Sequence, residues 1–576
     1  MNLHPSNLSR NRRLVLPIVL GSGLLAAFAG AYAFRTLFQR PGESALKYIP
    51  ADAFVVVSVD LSPSPTQALA FKHIDDSLGR NGLGHFAEDS LLDMFAHTAF
   101  NAELAPFIKR GGAGYVEKKP GKGDEFTGLI FLAISDANQV QKILAKHCSD
   151  RFFKGVKHYA LANNNALAMI VDDYLVISDS AAEFLKVKQI QDGELKPITS
   201  VAEFTSARDQ VASDANVLAF VSKSMVQQTL KDSLKKAPEW VAMGMAVRDG
   251  GIGVSMAGKT DIKEFPGLKG YASAPGIRSD LMQVLPSGSY GLVATSDPAE
   301  AFSGIEKTLE DEKDAKKAIT DVEDSTEKSI GLSVKGDLLP ALKGDAVVGV
   351  YPSTTGDPVG VDLLAVIDDS NGANPGDAVE KFGAFMEKQN AKEGNAPKMF
   401  VKKGIEGGTL YRINDTMEAD MQKSLGDGID PKQFNKPALV GNKTVVFATI
   451  GKVVFASTSQ TLLDWAINSY NAKSGNLAAD VKFAPYEKDL LDGSQSIIAL
   501  SLGRIAEGVK NTVHPTNMKE DDSKLFNSIL DAFSTLKEPF SIKTKALPNG
   551  IGAGGVFIPL DYDKMIDMVG TQMKKK

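Results

Sequence analysis

The residue types that most often carry out chemistry are few in this sequence and lie far apart. His147 and Cys148 form its one adjacent His–Cys pair, at the end of a predicted amphipathic helix. Neighbouring residues on a helix point about 100° apart, and no second Cys and no His-x-x-x-His spacing completes a metal site. The other histidines show no ligand spacing; they include His73, His85, His97, His158 and His514. We therefore predict a structural role for His147 and Cys148.

Paired carboxylates are the next candidates, because they can bind calcium or act as general acid and base. They occur at Asp75-Asp76, Asp172-Asp173, Asp368-Asp369 and Asp561-x-Asp563. The segment Asp368-Asp-Ser-Asn-Gly372 resembles the start of a calcium loop, but it lacks the alternating ligands and the closing Glu. We interpret it as a turn or helix cap, and we interpret Asp172-Asp173 as a hairpin turn.

Two glycine-rich stretches resemble nucleotide-binding loops at first sight, Gly250-Gly-Ile-Gly253 and Gly550-Ile-Gly-Ala-Gly-Gly555. Each is followed by another strand-like run, not by a helix whose N-terminus could hold phosphate, so both are predicted to be hairpins. No Gly-x-Ser-x-Gly elbow is present. The sequence therefore predicts no catalytic residues, no metal-binding residues, no cofactor-binding residues and no cofactor.

An internal repeat organises the chain around these scattered residues. Glu103-Leu-Ala-Pro-Phe-Ile-Lys-Arg-Gly111 returns as Asp337-Leu-Leu-Pro-Ala-Leu-Lys-Gly-Asp345, with an acid, a Leu, a Pro and a Lys at identical spacing. Other paired landmarks keep the same order: Tyr48–Val57 with Val284–Val293, Leu132–Asp136 with Leu364–Asp368, Tyr174–Ser178 with Lys452–Ala456, Val217–Phe220 with Ile497–Leu500, and Gly251–Gly253 with Gly550–Gly552. This ordered set predicts a duplication.

Each half is predicted to be an α+β unit. Short turns between apolar runs indicate antiparallel neighbours, so the sheet is largely antiparallel and at least mixed, with helices packed on it. One three-stranded meander recurs; its predicted strands are Lys157–Leu161, Ala166–Val171 and Tyr174–Ser178 in the first half, and Thr409–Ile413, Thr444–Ile450 and Lys452–Ala456 in the second. The predicted fold is thus an N-terminal transmembrane helix followed by two duplicated α+β units.

Capping residues mark the predicted helices. Asp136 is expected to cap a helix whose apolar face includes Val140, Ile143 and Leu144, and Asp377 one whose apolar face includes Val379, Phe382 and Met386. Ser180-Ala-Ala-Glu183 has the spacing of a capping box.

Other segments are predicted from their composition. Glu306–Lys328, charged on most faces, indicates a solvated helix. Asn414–Lys436 is a long insertion at a hairpin tip and is either a functional surface or a tolerated insertion. Trp240 and Trp465 are expected in the core.

The N-terminal segment Leu14–Phe34 is uncharged, and at about 1.5 Å per residue it reaches roughly 30 Å, the thickness of a hydrocarbon core. Arg10, Arg12 and Arg13 precede it, whereas Arg35 and Arg40 follow, which favours an N-terminus inside the cell. The predicted organisation is a cytoplasmic N-terminus at 1–13, a transmembrane anchor at 14–34, and repeats at 48–275 and 280–570. A cleaved signal peptide is the alternative, because Ala29-Gly-Ala31 and Ala31-Tyr-Ala33 resemble cleavage sites. Either way, the large C-terminal part is exported.

Composition narrows the possible partners. The formal net charge is −6 with acids and bases interspersed, which argues against nucleic acid as a main partner. The single Cys148 cannot close an intrachain disulfide. The expected partners are the lipid bilayer, through the N-terminal helix, and an unidentified protein or envelope component. Lys574–Lys576 could touch anionic headgroups or form a solubilising tail.

Three motifs together suggest a family. They are the opening Ile49-Pro-Ala-Asp-Ala-Phe-Val-Val-Val-Ser-Val-Asp60, then Ser62-Pro-Ser-Pro65, and then the acid-Leu-x-Pro-x-apolar-Lys box that begins at Glu103. In this order they resemble the bacterial domain of unknown function 3352 family, over most of the chain after Tyr48. The resemblance implies an extracytoplasmic, membrane-anchored protein, and the family brings no established activity or catalytic residues.

Three functional hypotheses remain at this point. The first is a membrane-anchored extracytoplasmic binding or scaffold protein without catalytic activity, because the two halves share apolar landmarks and no polar constellation. The second is an exported hydrolase whose carboxylates or Ser and Lys groups meet only on folding. The third is a lipid or lipoprotein carrier with an apolar cavity between the sheet and its helices.

Overall fold

The structure is a computed structural model that describes residues 41–60, 67–81, 101–118, 125–161, 166–230, 238–261, 272–278, 281, 283–308, 313–354, 360–368, 375–392, 400–413, 445–480, 483, 493–512, 520–564 and 566. The chain divides into two compact units. The first unit is Met1–Asp261 together with Leu560–Lys576, and the second unit is Ile262–Pro559.

The first unit is built on antiparallel strands. They are β1 Val55–Asp60, β2 Ile108–Lys118, β3 Phe126–Ile134, β4 Ser149–Phe153, β5 Val156–Ala160, β6 Leu167–Val171, β7 Tyr174–Ser178, β8 Val217–Ser222, β9 Trp240–Arg248 and β10 Gly251–Lys259. They pair in the order β4–β5–β6–β7–β3–β2–β1–β8–β9–β10, each pair antiparallel. Alternation along β3 buries Leu129 and Phe131 on one face of the sheet.

Helices pack against both faces of this sheet. Those of the first unit are α1 Pro41–Ala45, α2 Ala68–Asn81, α3 Asn101–Leu104, α4 Ala137–His147, α5 Ala181–Gln191, α6 Ala202–Gln210 and α7 Lys223–Leu230, with 3₁₀ turns at Leu46–Tyr48, Ala105–Phe107 and Ile198–Ser200. In α4, Val140 and Leu144 are buried against Leu175 and Ile177 of β7. Burial of these apolar side chains is the main stabilising term, at about 25 cal/mol per Å² removed from water.

The second unit repeats this plan. Its strands are β11 Gly291–Thr295, β12 Ala346–Pro352, β13 Val361–Asp368, β14 Phe400–Ile405, β15 Gly408–Ile413, β16 Val446–Ile450, β17 Val453–Ser457, β18 Ser496–Leu500, β19 Phe540–Ala546 and β20 Ile551–Pro559. They pair in the order β14–β15–β16–β17–β13–β12–β11–β18–β19–β20, again antiparallel. Strand by strand, this order matches that of the first unit.

Several helices of the second unit occupy places in the chain that correspond to helices of the first unit. They are α8 Pro298–Thr308, α9 Lys313–Ile330, α10 Leu339–Ala341, α11 Pro375–Lys392, α12 Gln460–Ala472, α13 Leu502–Thr512 and α14 Glu520–Ser534, with a π-helical turn at Val334–Leu338 and a 3₁₀ turn at Leu477–Ala479. Both proline boxes lie in short helical turns that precede the second strand of their unit. Pro106 precedes β2 and Pro340 precedes β12.

Most element predictions are confirmed. The predicted α+β class, its antiparallel sheet and both meanders are present, as β5–β6–β7 and β15–β16–β17. Asp136 caps α4 by accepting a hydrogen bond from the Gln139 amide, whereas the predicted cap at Asp377 is wrong because α11 begins earlier, at Pro375. Glu306–Lys328 spans the end of α8 and most of α9 rather than one helix.

The first described residues are hydrogen-bonded to the sheet of the first unit. The Asp60 carboxylate accepts hydrogen bonds from the Gly42 amide at 2.7 Å and the Glu43 amide at 3.0 Å, at the start of α1. Gly42 has no room for a side chain, since a Cβ there would lie 2.4 Å from the Val59 carbonyl oxygen. Leu46 and Tyr48 then enter the core. The residues from Pro41 onward are therefore an integral part of the first unit.

Within the described residues, no helix is both long enough and apolar enough to cross a membrane. The predicted anchor Leu14–Phe34 lies outside them, as do the insertion Asn414–Lys436 and the tail Lys574–Lys576.

Candidate functional site

The candidates named from the sequence lie apart in the structure. His147 and Cys148 end α4; the His147 ring lies 2.9 Å from Glu103 Oε1, and burial raises the pKa of the Cys148 thiol. Asp172 forms the β6–β7 turn with φ 47° and accepts a hydrogen bond from the Tyr48 hydroxyl. Asp368 ends β13 and forms an ion pair with Arg278. The hairpin turn predicted at Asp172-Asp173 is confirmed, whereas the rest of the turn or cap predicted from Asp368 lies outside the described residues.

Two of the remaining acidic candidates, Asp561 and Asp563, have local partners. Asp76 lies on α2, while Asp369 lies outside the described residues. Asp563 accepts a hydrogen bond from Ser77, and Asp561 accepts one from the Lys564 amide. Within the described residues, no group of three or more His, Cys, Asp or Glu side chains is placed to hold a metal ion.

The glycine-rich stretches are hairpins, as predicted. Gly250 and Gly550 have φ values of 78° and 82° at the β9–β10 and β19–β20 turns, where a left-handed conformation favours glycine. One further match was missed: Gly253–Thr260 has the spacing G-x-x-x-x-G-K-T of a phosphate-binding loop. Its residues Gly253–Lys259 form part of β10 and pair with β9, so this segment does not form such a loop.

Strand register identifies corresponding positions in the two units. Leu129 pairs with Ser178 in the first unit, and Leu364 pairs with Ser457 in the second. The predicted landmark pairs are therefore out of register here, by three residues at Leu364 and by one residue at Ser178. Two residues after each serine, Ser180 caps α5 and Ser459 caps α12. Counting from these caps, Glu183 corresponds to Leu462 and Lys186 to Trp465. By the same register, Glu117 of β2 corresponds to Tyr351 of β12.

In the first unit, this position holds a buried charged cluster, which we call the Glu117 cluster: Tyr115, Glu117, Glu183 and Lys186. The Tyr115 hydroxyl donates to Glu183 Oε2 at 2.6 Å, and Lys186 forms ion pairs with Glu117 and, at 3.6 Å, with Glu183. Glu117 and Glu183 are only 4% and 2% exposed. Glu117 Oε2 is buried without a hydrogen-bond partner.

Burial dominates the electrostatics of this cluster. It raises the pKa of Glu117, and the neighbouring Glu183 charge adds to that effect, while the hydrogen bond from Lys186 opposes it. Burial lowers the pKa of Lys186, but its two carboxylate partners outweigh that effect and the net shift is upward. Burial and Glu183 together hold the pKa of Tyr115 well above its usual range.

In the second unit, Tyr351 and Leu462 stand at the positions of Glu117 and Glu183, and both are buried. Trp465, at the position of Lys186, lines an open pocket of about 360 Å³ with an uncharged lining, which we call the Trp465 pocket. One face of α12 supplies Trp465, Asn468, Ser469 and Ala472, at the spacing of helical neighbours. Pro286, Ser287, Ser474 and Gly475 supply the remaining lining. Trp465 is 51% exposed, so its predicted core placement is wrong, whereas Trp240 is fully buried as predicted.

The wall opposite α12 is held by hydrogen bonds. The Ser287 amide donates to the Gly475 carbonyl at 3.0 Å, and the buried Tyr351 hydroxyl donates to the Pro286 carbonyl at 3.0 Å. One residue further along, the Gly288 amide donates to Asp480 Oδ2 at 2.9 Å. The Asp480 carboxylate in turn accepts hydrogen bonds from both terminal guanidinium nitrogens of Arg504, at 2.7 and 2.5 Å. This wall is therefore preorganised by buried polar contacts.

Comparison with known proteins identifies the family. The sequence profile described as "Protein of unknown function (DUF3352)" matches residues 15–398, which is more than half of the chain. The chain belongs to the DUF3352 family. Its match begins inside the apolar segment Leu14–Phe34 and ends within the second unit. No curated protein matches this sequence.

Solved structures give only distant likenesses to this DUF3352 protein. Crystal forms I and III of a protein designated TP0453 each match with a TM-score of 0.23 and 8% identity. They cover 38% of this chain and 78% and 79% of their own chains. At that level of likeness, neither structure adds to the functional argument.

Sequence reasoning identified neither the Glu117 cluster nor the Trp465 pocket in this DUF3352 protein. Ser180-x-x-Glu183 has capping-box spacing, and Ser180 does cap α5 through the Ala182 amide. Glu183, however, reaches Tyr115, while the Ser180 amide donates to Ser178 Oγ at 3.1 Å. Alignment of the two serine caps would have revealed the signal, because it sets Glu183 and Lys186 against Leu462 and Trp465.

The raised pKa of Glu117 predicts a pH dependence of folding stability. A carboxyl whose folded pKa is raised above its ordinary 4.5 contributes stability at low pH, and that contribution is lost as pH rises through the folded pKa. The free energy of unfolding of the wild type relative to Glu117→Gln should therefore fall as pH rises above 4.5. Urea unfolding at several pH values measures this difference.

Glu103→Gln is the matched control for that experiment. Hydrogen bonds from Lys146 and His147 hold the pKa of Glu103 below its usual value, so its contribution is present at neutral pH and is lost as pH falls. The two variants should thus show slopes of opposite sign. Equal slopes would contradict the electrostatic description of the Glu117 cluster.

Proposed function

We propose that this DUF3352 protein is a membrane-anchored extracytoplasmic binding protein, and that the Trp465 pocket is its ligand site. One observation carries the proposal: at one corresponding helical position, the first unit has Lys186, paired with buried carboxylates, whereas the second unit has the half-exposed Trp465, which lines an open pocket. The shared architecture therefore does not require an exposed tryptophan at this place. Binding gives a physical reason for one, since tryptophan is enriched among the residues that dominate binding energy.

We further infer that the two units arose by duplication, as repeats over 48–275 and 280–570. The matching strand order and the paired serine caps support this inference. After a duplication, the two repeats are free to evolve different surface chemistry on the same fold.

We also infer that Leu14–Phe34 anchors the chain in the bilayer with its N-terminus inside. The length and Arg-flanked composition of that segment support this orientation. Because α1 is hydrogen-bonded to Asp60, the first unit would lie close to the membrane surface without a flexible stalk. The partners in this proposal are the lipid bilayer and a component of the cell envelope.

A second candidate function is hydrolysis at the Glu117 cluster. A carboxyl group with a raised pKa, as in Glu117, beside a lysine and a tyrosine is typical of acid–base sites. Burial of Glu117 and Glu183 opposes this candidate, because a substrate reaches them only if α5 moves away from β2. The third hypothesis, a lipid carrier, receives less support from the Trp465 pocket, whose lining includes Asn468 and three serines.

One experiment in spheroplasts tests both location and binding. Asn471 is exposed beside the pocket, so Asn471→Cys in a Cys148→Ser background offers a single thiol for a membrane-impermeant photo-crosslinker. We expect labelling of intact spheroplasts, followed on irradiation by an adduct with an envelope component. The adduct should be lost in the same chain carrying Trp465→Ala.

Each outcome of this experiment has a definite meaning. Labelling only after lysis would show that the second unit faces the cytoplasm, which would overturn the proposed location. Labelling without any Trp465-dependent adduct would overturn the pocket as a ligand site. Turnover of an exported ester, peptide or glycan that Glu117→Gln abolishes, in a variant that still folds, would favour hydrolysis instead.

A further inference from the structure

We infer that the ligand of the Trp465 pocket is a neutral saccharide; this inference deepens the proposed binding function and rests on it. The volume, about 360 Å³, lies within the usual range of small-ligand sites, about 300–1,000 Å³. None of the eight lining residues carries a formal charge. A ligand with a carboxylate or phosphate would need a charged partner in the site, so an uncharged ligand fits best.

The aromatic component fits one face of a sugar ring. The face of an indole carries partial negative charge, and the C–H groups on one face of a pyranose ring carry partial positive charge, so the two surfaces stack. Trp465 is half exposed and stands at the edge of the pocket, with Pro286 among the residues across from α12. An apolar ring face could thus lie on the indole while the hydroxyl groups at the ring edge face the polar lining.

The polar component fits sugar hydroxyls. The side chains of Ser287, Asn468 and Ser474 make no hydrogen bond to any other described residue, so they are available to a ligand. Hydroxyl and amide groups can each donate and accept, and a sugar hydroxyl also does both. The preorganised wall at Ser287 reduces the entropy lost when such bonds form.

A proline-rich peptide is the nearest competing ligand, since exposed aromatic residues also bind the polyproline II helix. Grooves of that kind are lined by several aromatic side chains, whereas Trp465 is the one aromatic residue in this lining. Proline also has no backbone N–H, so such a peptide offers carbonyl acceptors and few donors to the serines and the asparagine. The mixed polar lining therefore favours a saccharide.

The intrinsic tryptophans make the test direct. The chain has two of them, Trp240 fully buried and Trp465 half exposed, so a ligand that shifts the emission to shorter wavelength reports on Trp465. The full chain is reconstituted in lipid nanodiscs, which avoids detergents with sugar headgroups. The probes are triacetylchitotriose, maltotriose and a decamer of proline. We expect saturable binding of at least one trisaccharide. The difference in affinity between the two trisaccharides shows which linkage and which N-acetylation state the pocket prefers.

Variants then assign the binding to the pocket by titration calorimetry. Trp465→Ala should raise the dissociation constant about tenfold or more. Trp465→Tyr should retain part of the affinity because it keeps an aromatic face. Phe152→Ala is the matched control: Phe152 is also an exposed aromatic residue, 69% exposed, but it lies on β4 of the first unit. The Phe152→Ala variant should bind with the affinity of the wild type. Unchanged melting curves confirm that each variant folds.

The outcomes separate this inference from the proposed function. Binding of neither trisaccharide, with a Trp465-dependent adduct still formed in spheroplasts, would overturn the saccharide and leave the binding function standing. Trp465-dependent binding of the proline decamer alone would also overturn it, in favour of a peptide ligand. Absence of both saccharide binding and the adduct would overturn the two proposals together.

Discussion

Gly408→Ala is expected to destabilise the second unit by about 3 kcal/mol, because the added methyl group has no space. Gly408 opens β15 between Ile405 of β14 and Ile450 of β16. A Cβ there would lie 1.7 Å from the carbonyl oxygen of Thr449, a backbone atom that cannot turn away. The two strands would have to separate locally, with loss of ladder hydrogen bonds. Urea unfolding in a Trp240→Phe background, followed by the emission of Trp465, measures the effect on the second unit.

Gly404→Ala provides the matched control in the same hairpin. Gly404 lies on β14, and a Cβ added there meets no atom within 4 Å. Alanine at this position should leave stability unchanged or raise it by up to about 1 kcal/mol, since it restricts the unfolded chain. If the two variants unfold at the same urea concentration, the close contact described between β15 and β16 at Gly408 does not exist.

Arg504→Ala is expected to cost about 3–5 kcal/mol, the usual penalty for removing one partner of a buried ion pair. The Asp480 side chain is only 1% exposed, and it accepts two hydrogen bonds from the guanidinium group. Loss of that group leaves a buried carboxylate without its charged partner. Because Asp480 also accepts the Gly288 amide beside Ser287, the Trp465 pocket should lose ligand affinity as well. Chemical unfolding and trisaccharide titration measure the two effects.

Two controls bracket this prediction. Arg504→Lys keeps the charge but not the paired geometry of the guanidinium, so it should lose less stability than Arg504→Ala. Arg208 and Glu43 form an exposed pair at 3.4 Å, and Arg208→Ala should cost less than about 1 kcal/mol. An Arg504→Ala effect as small as that of Arg208→Ala would show that the Asp480 pair contributes little to stability.

The sequence by itself determined the local elements of this protein. Alternating apolar residues located both meanders, because a strand exposes its successive side chains to opposite faces of the sheet. Asp136 and Ser180 located the starts of α4 and α5, because a capping side chain bonds to amides two or three residues ahead. The ordered landmarks also located the two proline boxes. All these signals depend on residues that are close together in the chain.

Only the tertiary structure decided what the polar and aromatic side chains of α5 and α12 contact. The spacing of Ser180 and Glu183 suits a capping box as well as an inward-facing carboxylate, and the position of α5 over β2 selects the second. Trp465 shares an apolar stripe with Leu462, yet α12 buries Leu462 and leaves Trp465 at the edge. These outcomes depend on how each helix is rotated and placed on its sheet, which long-range packing sets and local spacing does not.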